Sequence, residues 1–427
     1  MTRAPRRKAQ DENMGKFRLK CVECGGLKER CALTCEKCDS LLRAEYYQKR
    51  LTLKELPGIW RFHEWLPVDG YVDSCAGPIT YKSREFAREL GLKNLYISFS
   101  GYWPEKGAFV QTCAFKEYEA LVSLQRAREC GVKTLIVCSS GNTGRGFAYV
   151  AEKAKVHVLV VVPEKNVDRI WLPETIESPY VHLLAVRGAD YFEAVTLANK
   201  IEKEGFFQEG GAKNVARRDA LGTVMLDAAI KIGEMPKHYF QPISGGAGAI
   251  GVWEMAKRLL GDGRFGKHLP KLHLAQNIPF VPIYKAWIEK RNYIKEEDAK
   301  KEYVREMYAD VISNRNPPYS IRGGTWDALT ETRGEMYAIE GKEAIDAKNI
   351  FEKLEGIDIV PAAAVGVASL VSAVEKEKID KKDVTLLNVT GGGMERLKKE
   401  RETFKLKPEI LKKDASNASI REVIDRI

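Results

Sequence analysis

The sequence predicts an α/β fold in which two doubly wound lobes follow a small cysteine-rich segment at the N-terminus. Short apolar runs rich in β-branched residues alternate with amphipathic helical stretches, as at residues 134–138 (TLIVC), 156–163 (VHVLVVVP) and 181–186 (VHLLAV). Such runs are typical of parallel strands buried on both faces of a sheet. Glycine-rich turns directly follow several predicted strands, which is the usual junction between a strand and a helix in this fold class.

A second series of strands and helices predicts the second lobe. It begins at residues 237–259, continues at 271–276 and ends at 383–393. Ligands of doubly wound folds bind at the carboxyl ends of the strands. We therefore expect a binding site between the two lobes.

The chain divides into three expected segments. Residues 1–16 are polar and basic without periodicity and are expected to form a disordered arm. Residues 17–50 hold the cysteine-rich segment, and residues 51–427 hold the two lobes, the smaller at roughly 100–220 and the larger in the remainder. The charged stretch at about 285–310 is expected to be an exposed helix or an insertion, and its pattern indicates no function.

Length and composition limit the class of protein. With 427 residues and a hydrophobic fraction of 44%, the chain can form two or three domains with a core. No stretch approaches the ~20 apolar residues of a membrane span, and the first residues lack the apolar part of a signal peptide. We therefore expect a cytoplasmic protein that does not bind a membrane.

A net charge of +10 raises the question of nucleic-acid binding. Basic pairs such as Lys300-Lys301 and Lys398-Lys399, however, are flanked by acidic residues, as on a solvated helix face. We interpret the surplus as solvated surface that also attracts small anionic substrates, and we expect no nucleic-acid partner.

Four cysteines near the N-terminus predict a structural zinc site. Cys21 and Cys24 form one CxxC pair, Cys35 and Cys38 form another, and ten residues separate the pairs. This spacing is typical of a tetrathiolate site in a reducing compartment, where disulfides are not expected. Cys31 is a spare that could replace a ligand, and unliganded buried thiols remain the alternative.

Three glycine-rich turns are candidate anion sites. Residues 139–148 (SSGNTGRGFA) can hold a carboxylate and leave Asn142 to contact a ring substituent. Residues 244–251 (SGGAGAIG) lead into a helix and form a candidate phosphate cradle without the lysine of a nucleotide-binding loop. In residues 388–397 (NVTGGGMERL), Thr390 offers a hydroxyl at a strand end. Each turn taken alone also fits a plain junction between a strand and a helix.

Lys116 is the candidate nucleophile. It lies in the segment GAFVQTCAFKEYEALVSLQRA, at the start of a helix predicted to begin near Thr112. Burial among apolar residues would lower the pKa of its amine and make it reactive toward an aldehyde. A lysine that extends its amine to solvent along the helix surface is the alternative.

The order and spacing of these motifs, from about Asp73 to Leu397, resemble those of fold-type II pyridoxal-phosphate enzymes, the class of the tryptophan synthase β chain. The resemblance implies pyridoxal 5′-phosphate as cofactor, with Lys116 attached to it as a Schiff base. It places Asn142 at the ring 3′-oxygen and Thr390 at the ring nitrogen. It also places the phosphate in the loop of Gly245, Gly246, Ala247, Gly248 and Ala249. A neutral hydroxyl at the ring nitrogen suits β- and γ-eliminations.

Within this class, the cysteine-rich N-terminus and the ending VTGGGMERL are similar to those of threonine synthases. Where threonine synthases have NPTGSFKDRG, this chain has VQTCAFKEYE, in which Thr112, Phe115 and Lys116 match. Cys113, Ala114 and Glu117 differ from that motif.

The segment TCAFKEYEA, together with residues 317–329 (PPYSIRGGTWDAL) and 355–370 (EGIDIVPAAAVGVASL), resembles cysteate synthases. That family is related to threonine synthases. It makes cysteate from O-phosphoserine and sulfite on the way to coenzyme M in methanogens. The resemblance therefore implies a β-replacement with small anionic substrates.

The same resemblance implies substrate-binding residues. A substrate carboxylate would lie at Ser140, Asn142 and Thr143, with Thr112 close by. Residues 209–222, which include Lys213, Asn214, Arg217 and Arg218, would supply donors for the leaving phosphate, with Asn214 and Arg217 as the candidates. Surface charges beside a helix are the alternative for these donors.

Two other functions stay open at this level. One is a threonine synthase that acts on O-phosphohomoserine. The other is a nucleic-acid-binding zinc protein on an inactive scaffold. The resemblance to fold-type II enzymes also implies a homodimer or a higher homo-oligomer.

Overall fold

The computed structural model describes residues 15–139, 141–174, 178–201 and 205–426. The predicted arm therefore lies almost entirely outside the described residues. No helix in the described ranges combines the length and the apolar character that a membrane span requires.

The strands of the described ranges, in chain order, are β1 (Phe17–Cys21), β2 (Leu27–Lys28), β3 (Leu42–Tyr46), β4 (Ile79–Lys82), β5 (Asn94–Phe99), β6 (Tyr102–Trp103), β7 (Ala108–Phe109), β8 (Thr134–Cys138), β9 (His157–Pro163), β10 (Trp171–Leu172), β11 (Val181–Arg187), β12 (Phe206–Gln208), β13 (His238–Pro242), β14 (Lys271–Asn277), β15 (Glu335–Ile339), β16 (Val384–Val389), β17 (Phe404–Lys405) and β18 (Glu409–Lys412). The strands predicted at 134–138, 156–163 and 181–186 are confirmed as β8, β9 and β11.

The α-helices are α1 (Glu85–Glu89), α2 (Lys116–Glu129), α3 (Asn142–Ala154), α4 (Tyr191–Ala198), α5 (Val215–Ile232), α6 (Ala247–Asp262), α7 (Pro282–Ile288), α8 (Lys301–Arg305), α9 (Thr325–Glu331), α10 (Gly341–Glu355), α11 (Pro361–Glu375), α12 (Met394–Glu400) and α13 (Asn417–Ile424). Short 3-10 helices span Gly58–Trp65, Pro104–Lys106, Glu164–Arg169, Gly211–Lys213, Glu296–Ala299 and Asp310–Ile312.

Two parallel sheets form the predicted lobes. The smaller sheet has the order β12-β8-β9-β11-β18, and its pairs are all parallel. The larger sheet has the order β15-β14-β13-β16-β5-β4, with only β4 antiparallel. The non-consecutive order means that helices cross over between strands, which is the doubly wound arrangement.

The C-terminal residues differ from the predicted boundaries. Those boundaries assigned everything after about residue 220 to the larger lobe. The strand β18, however, pairs parallel with β11 at the edge of the smaller sheet. Helix α13 packs beside it, where Ile420, Val423 and Ile424 join the apolar cluster of that lobe. The chain end thus covers an edge that would otherwise present unpaired backbone groups.

One predicted local structure was wrong, and one of two open alternatives for another was excluded. The helix that carries Lys116 begins at Lys116 itself, because Thr112 and Cys113 form a turn in which Cys113 has a positive φ of 53°. The charged stretch at 285–310 is not one helix but a series of short helices. Buried Asp298 binds Arg291 at 2.8 Å within this stretch and holds it in a compact fold.

Ion pairs join the two lobes beside this stretch. Asp310, on the larger lobe, accepts hydrogen bonds at 3.0 and 2.8 Å from Arg169, which follows β9 of the smaller lobe. Arg315 donates at 3.0 Å to Asp190, which lies immediately before α4. These contacts hold the segment around residue 310 against the smaller lobe.

The N-terminal strands form a three-stranded antiparallel sheet in the order β2-β1-β3. It packs on α5 and α6, where the Tyr46 hydroxyl donates to Asp219 at 2.6 Å and Arg258 donates to the Ala44 carbonyl at 3.2 Å. A disulfide joins Cys31 to Cys130, at the end of α2. The expectation that the cysteines form no disulfide is therefore wrong for this pair, because folding brings together residues that are 99 positions apart.

Candidate active site

A cavity of about 910 Å³ lies between the two lobes. Its wall includes the first residues of α2 and α3, the glycine loop between β13 and α6, and Thr390 after β16. These are the carboxyl ends of strands and the starts of the helices that follow them, where doubly wound folds bind ligands. The volume is within the range of cofactor and small-molecule sites.

Lys116 lies in this wall, at the first residue of α2. Its side chain is 24% exposed, and its Nζ lies 3.2 Å from Oε2 of Glu119 and 4.9 Å from the centre of the Phe115 ring. Burial lowers the pKa of the Lys116 amine, while the Glu119 carboxylate acts in the opposite direction. The amine therefore has the depressed basicity expected of a nucleophile.

Glu119 is a site residue that the sequence reasoning missed. Its side chain is fully buried, and its Oε1 accepts a hydrogen bond from Thr143 Oγ1 at 3.0 Å and lies 3.3 Å from Arg217 Nη1. In the threonine synthase motif compared above, a glycine stands at this position. An acidic residue one turn after the candidate lysine was the signal that could have identified it.

Arg217 lines the cavity and binds a second missed acid, Glu209. Its Nε lies 2.9 Å from Oε1 of Glu209, and its Nη2 donates to Oε2. Burial opposes the charge, but Glu119 and Glu209 together hold the pKa of Arg217 above its usual value. The guanidinium is thus permanently charged, and it shares the buried Glu119 carboxylate with Lys116.

The other candidates in residues 209–222 have different positions. Asn214 caps α5 by accepting from Ala216 N at 3.0 Å, and it does not line the cavity. Arg218 is fully buried away from the cavity, 3.2 Å from Glu254. Lys213 does reach the cavity rim, where it binds Asp39 of the N-terminal segment at 2.9 Å.

The candidate residues near the first glycine turn also differ in whether they line the cavity. Asn142 and Thr143 line the cavity, and the Asn142 side-chain oxygen accepts from Arg145 at 3.1 Å, which leaves its NH2 group as the donor for a ligand. Thr112 does not line the cavity, because its backbone N and Oγ1 donate to buried Glu117 at 2.8 and 2.9 Å. Ser140 lies outside the described residues.

The loop before α6 has the shape of an anion cradle. Gly246 has a φ of +85°, and a Cβ there would lie 2.1 Å from Thr325 Oγ1, so only glycine fits. A Cβ on Gly248 would lie 2.8 Å from the Gln241 side chain. Gly245, Gly246, Ala247 and Gly248 line the cavity, whereas Ala249 is completely buried in the helix and does not. The Thr325 hydroxyl beside the loop is buried without a hydrogen-bond partner among the described residues.

Thr390, directly after β16, also lines the cavity. Its carbonyl accepts from Phe115 N at 3.0 Å, which ties the end of β16 to the start of α2. A lysine amine, a glycine loop at a helix N-terminus, an amide donor and a threonine hydroxyl thus line one cavity. This donor set fits an aldehyde cofactor that carries a phosphate and an aromatic ring.

The four cysteines predicted as metal ligands lie together, at the end of β1, in the turn between β1 and β2, and in the loop before β3. The sulfur atoms of Cys21, Cys24, Cys35 and Cys38 are all within 4.8 Å of one another, and Cys24 Sγ is 3.8 Å from Cys35 Sγ. A tetrahedral zinc site with bonds of about 2.3 Å has sulfur atoms about 3.8 Å apart. The geometry therefore fits zinc. Cys31 is not a spare ligand, since it forms the disulfide with Cys130.

Comparison with known proteins agrees with this donor set. The model of the family "Pyridoxal-phosphate dependent enzyme" matches residues 81–391, which include every cavity motif described above. The structure is also similar to threonine deaminase isoform 2 of Solanum lycopersicum, with a TM-score of 0.54 and 16% identity, covering 76% of this chain and 86% of that one. At this identity the similarity shows a shared fold, that of fold-type II enzymes.

Two relatives match nearly the whole chain. The cysteate synthase of Methanosarcina barkeri is 54% identical over 402 residues, covering 92% of this chain and 96% of the relative. The cysteate synthase of Methanosarcina acetivorans is 53% identical over 403 residues, covering 93% and 97%. The chain belongs to the cysteate synthase family of pyridoxal-phosphate dependent enzymes.

Proposed function

We propose that this enzyme replaces the phosphate of O-phosphoserine by sulfite and releases L-cysteate and phosphate, a step toward coenzyme M. The observation that carries the proposal is the 54% identity to a cysteate synthase over 92% of the chain. The cavity supports it, because Lys116 and Arg217 place an amine and a fixed cation in the same wall. Turnover of an amino-acid substrate that carries a phosphate requires both this amine and this cation.

Lys116 and three other sites are proposed to hold the cofactor. The loop Gly245–Gly248 would bind its phosphate, Thr390 its ring nitrogen and Asn142 its ring oxygen. When bound, pyridoxal phosphate supplies an electron sink that lets the substrate Cα–H bond and the Cβ–O bond break. The remaining steps depend on the side chains of the chain itself.

Lys116 acts as the base in the proposed reaction. After exchange with the substrate amine, its own amine is free to take the Cα proton and later to return it. Because burial lowers the pKa of Lys116, a larger share of the amine is neutral and able to accept this proton.

Arg217 is proposed to bind the anions that leave and enter at Cβ. Phosphate departs with the electron pair of the Cβ–O bond, and the sulfur lone pair of sulfite then forms the Cβ–S bond. Since one anion leaves before the other enters, a single site can serve both. Thr143 and Asn142 at the start of α3 are proposed to hold the substrate carboxylate through hydrogen bonds at a helix N-terminus.

The cysteine cluster is proposed to hold a structural zinc ion. Four thiolates complete a tetrahedral site and leave no position for a substrate. The cysteine cluster is connected to the cavity through Asp39. This residue follows Cys38 and binds Lys213 at the cavity rim. The homodimer or higher homo-oligomer and the cytoplasmic location expected from the sequence stay predictions.

The proposed substrate is tested by phosphate release from purified, cofactor-loaded protein. O-phosphoserine is supplied with and without sulfite, and O-phosphohomoserine is supplied alone. We expect sulfite-stimulated release from O-phosphoserine, lost in Lys116→Ala. Release from O-phosphohomoserine alone would assign the enzyme to the threonine synthase reaction and refute the proposal.

A further inference from the structure

Glu119 contacts three residues of the cavity wall, Lys116, Thr143 and Arg217, but has no role in the steps above. It is fully buried, one helical turn after Lys116. Burying an ionised carboxylate is costly unless cations and hydrogen-bond donors compensate for the lost water. The contacts of its two oxygens therefore indicate what this residue does.

The two oxygens contact different parts of the site. Oε2 lies 3.2 Å from the Lys116 amine. Oε1 lies 3.3 Å from Nη1 of Arg217 and accepts the Thr143 hydroxyl at 3.0 Å. One carboxylate thus connects the Lys116 amine, the cavity-lining Arg217 guanidinium and the start of α3.

The charges explain why an acid is needed between these groups. Arg217 lowers the pKa of Lys116 by repulsion, after the larger effect of burial, and Glu119 counteracts both. A glycine at this position, as in the threonine synthase motif, could hold neither cation. Without Glu119, the amine would have no ion-pair partner on its own helix within the described contacts.

We propose that Glu119 is a positioning residue that sets the Lys116 amine and the Arg217 guanidinium relative to each other. The distance between the base and the anion site must match the distance between Cα and the group on Cβ of the substrate. This role rests on the proposed function for the identity of the substrate. The contacts of Glu119 with Lys116 and Arg217 do not depend on that proposal. Glu119 acts through Lys116 and Arg217.

The first test measures the Lys116 amine directly. The other titratable groups that face it come from different elements, namely Arg217 on α5, Glu209 before α5, Tyr191 on α4 and Cys138 on β8. Removal of the Glu119 charge alone leaves all of these in place. Because Glu119 favours the charged amine, its loss should move the pKa of Lys116 further down.

The measurement uses full-length, cofactor-free protein labelled with acetic anhydride across a pH series, with acetylation of Lys116 quantified by mass spectrometry. We expect the labelling profile of Lys116 to move to lower pH in Glu119→Gln and to return toward wild type in Glu119→Asp. Glu117→Gln is the matched control, since Glu117 is equally buried in the same helical turn but contacts Thr112 instead of Lys116. Coincident profiles for wild type and Glu119→Gln would overturn the proposal.

The second test uses the cofactor-loaded enzyme. In Glu119→Gln we expect the pH profile of kcat to move and KM for O-phosphoserine to rise, because Lys116 loses its ion-pair partner and Arg217 loses one of its two acidic partners. A residue with only a structural role would reduce the folded fraction and leave both quantities unchanged. If Glu119→Gln does not fold, Glu119→Asp is compared with wild type instead. We then expect a smaller displacement of the pH profile of kcat and a smaller rise in KM.

The two proposals can fail separately. If wild type shows no sulfite-dependent turnover of O-phosphoserine but the Lys116 profile moves in Glu119→Gln, the positioning role stands and the proposed substrate is wrong. If turnover is observed and the profile does not move, the substrate stands and the positioning role is wrong.

Discussion

Arg217 and Glu209 form a two-point ion pair in the wall of the cavity, with Nε 2.9 Å from Oε1 and Nη2 donating to Oε2. Glu209 in turn accepts from the backbone N of Gly211 at 2.9 Å, so the acid is held by its own loop. The planar guanidinium is therefore fixed in orientation, as recognition of a tetrahedral anion requires.

Arg217→Lys tests this geometry. Lysine keeps the charge but cannot make the paired hydrogen bonds. We expect KM for O-phosphoserine to rise by about tenfold or more, since one hydrogen bond to a charged group contributes about 1.5–3 kcal/mol. Steady-state kinetics measure this, with Lys213→Ala at the exposed rim as the comparison. An unchanged KM in Arg217→Lys would remove Arg217 from the anion site.

Glu117 predicts a pH-dependent stability. Burial raises the pKa of Glu117 to about 7, above its ordinary value of 4.5, so the folded state holds a proton that the unfolded state releases. This contribution to the free energy of unfolding is present in full below pH 4.5 and is lost as pH rises through about 7. Its size is on the order of 3 kcal/mol.

Glu117→Gln removes this titration and keeps an oxygen that can accept from Thr112. We expect urea denaturation to show that the variant gains stability relative to wild type between pH 5 and pH 8. Glu89→Gln, an exposed acid on α1, should show no such gain. A constant difference between Glu117→Gln and wild type across this range would show that Glu117 is ionised throughout.

The cysteine cluster predicts a stabilising metal. We expect one zinc ion per chain by atomic absorption, and we expect Cys24→Ser to lose the zinc and to lower the melting temperature. The N-terminal sheet packs on α5 and α6, so its loosening reduces the stability of the larger lobe. Cys75→Ser, a free and exposed cysteine outside the cluster, is the control. Full zinc content in Cys24→Ser would exclude this ligand set.

Asp310→Asn tests the contact between the lobes. The ion pair with Arg169 is about one-third exposed, so its loss should change the free energy of unfolding by less than about 1 kcal/mol. Because residues 311–314 and 316–318 line the cavity beside it, we expect a several-fold rise in KM instead. Parallel kinetics and thermal melts separate the two effects, and a large fall in melting temperature without a change in KM would contradict this role.

Much of the fold was predictable from local pattern. The strands β8, β9 and β11 are buried on both faces, so their apolar runs mark them in the sequence. The edge strand β18 (EILK) has three exposed residues of four and no such run, and its pairing with β11 depends on tertiary structure. The start of α2 was misplaced, because a turn with a positive φ at Cys113 has no glycine to indicate it.

The site was predictable where motifs are continuous in sequence. Lys116, Asn142 and the glycine loop were predicted from short local motifs, and the structure brings them to one cavity. Glu119 and Glu209 were missed because their roles arise from pairing with Arg217, a residue distant in the sequence from Glu119. Asn214 was misinterpreted since a helix cap and a ligand donor have the same residue type.

The most direct test of the account is the identity of the product. Purified, cofactor-loaded protein is incubated with O-phosphoserine and sulfite, and amino acids are quantified by mass spectrometry beside the phosphate released. We predict cysteate in a one-to-one ratio with phosphate, dependent on sulfite and absent in Lys116→Ala. Phosphate release without cysteate, or threonine formed from O-phosphohomoserine at a higher rate, would contradict the proposed reaction.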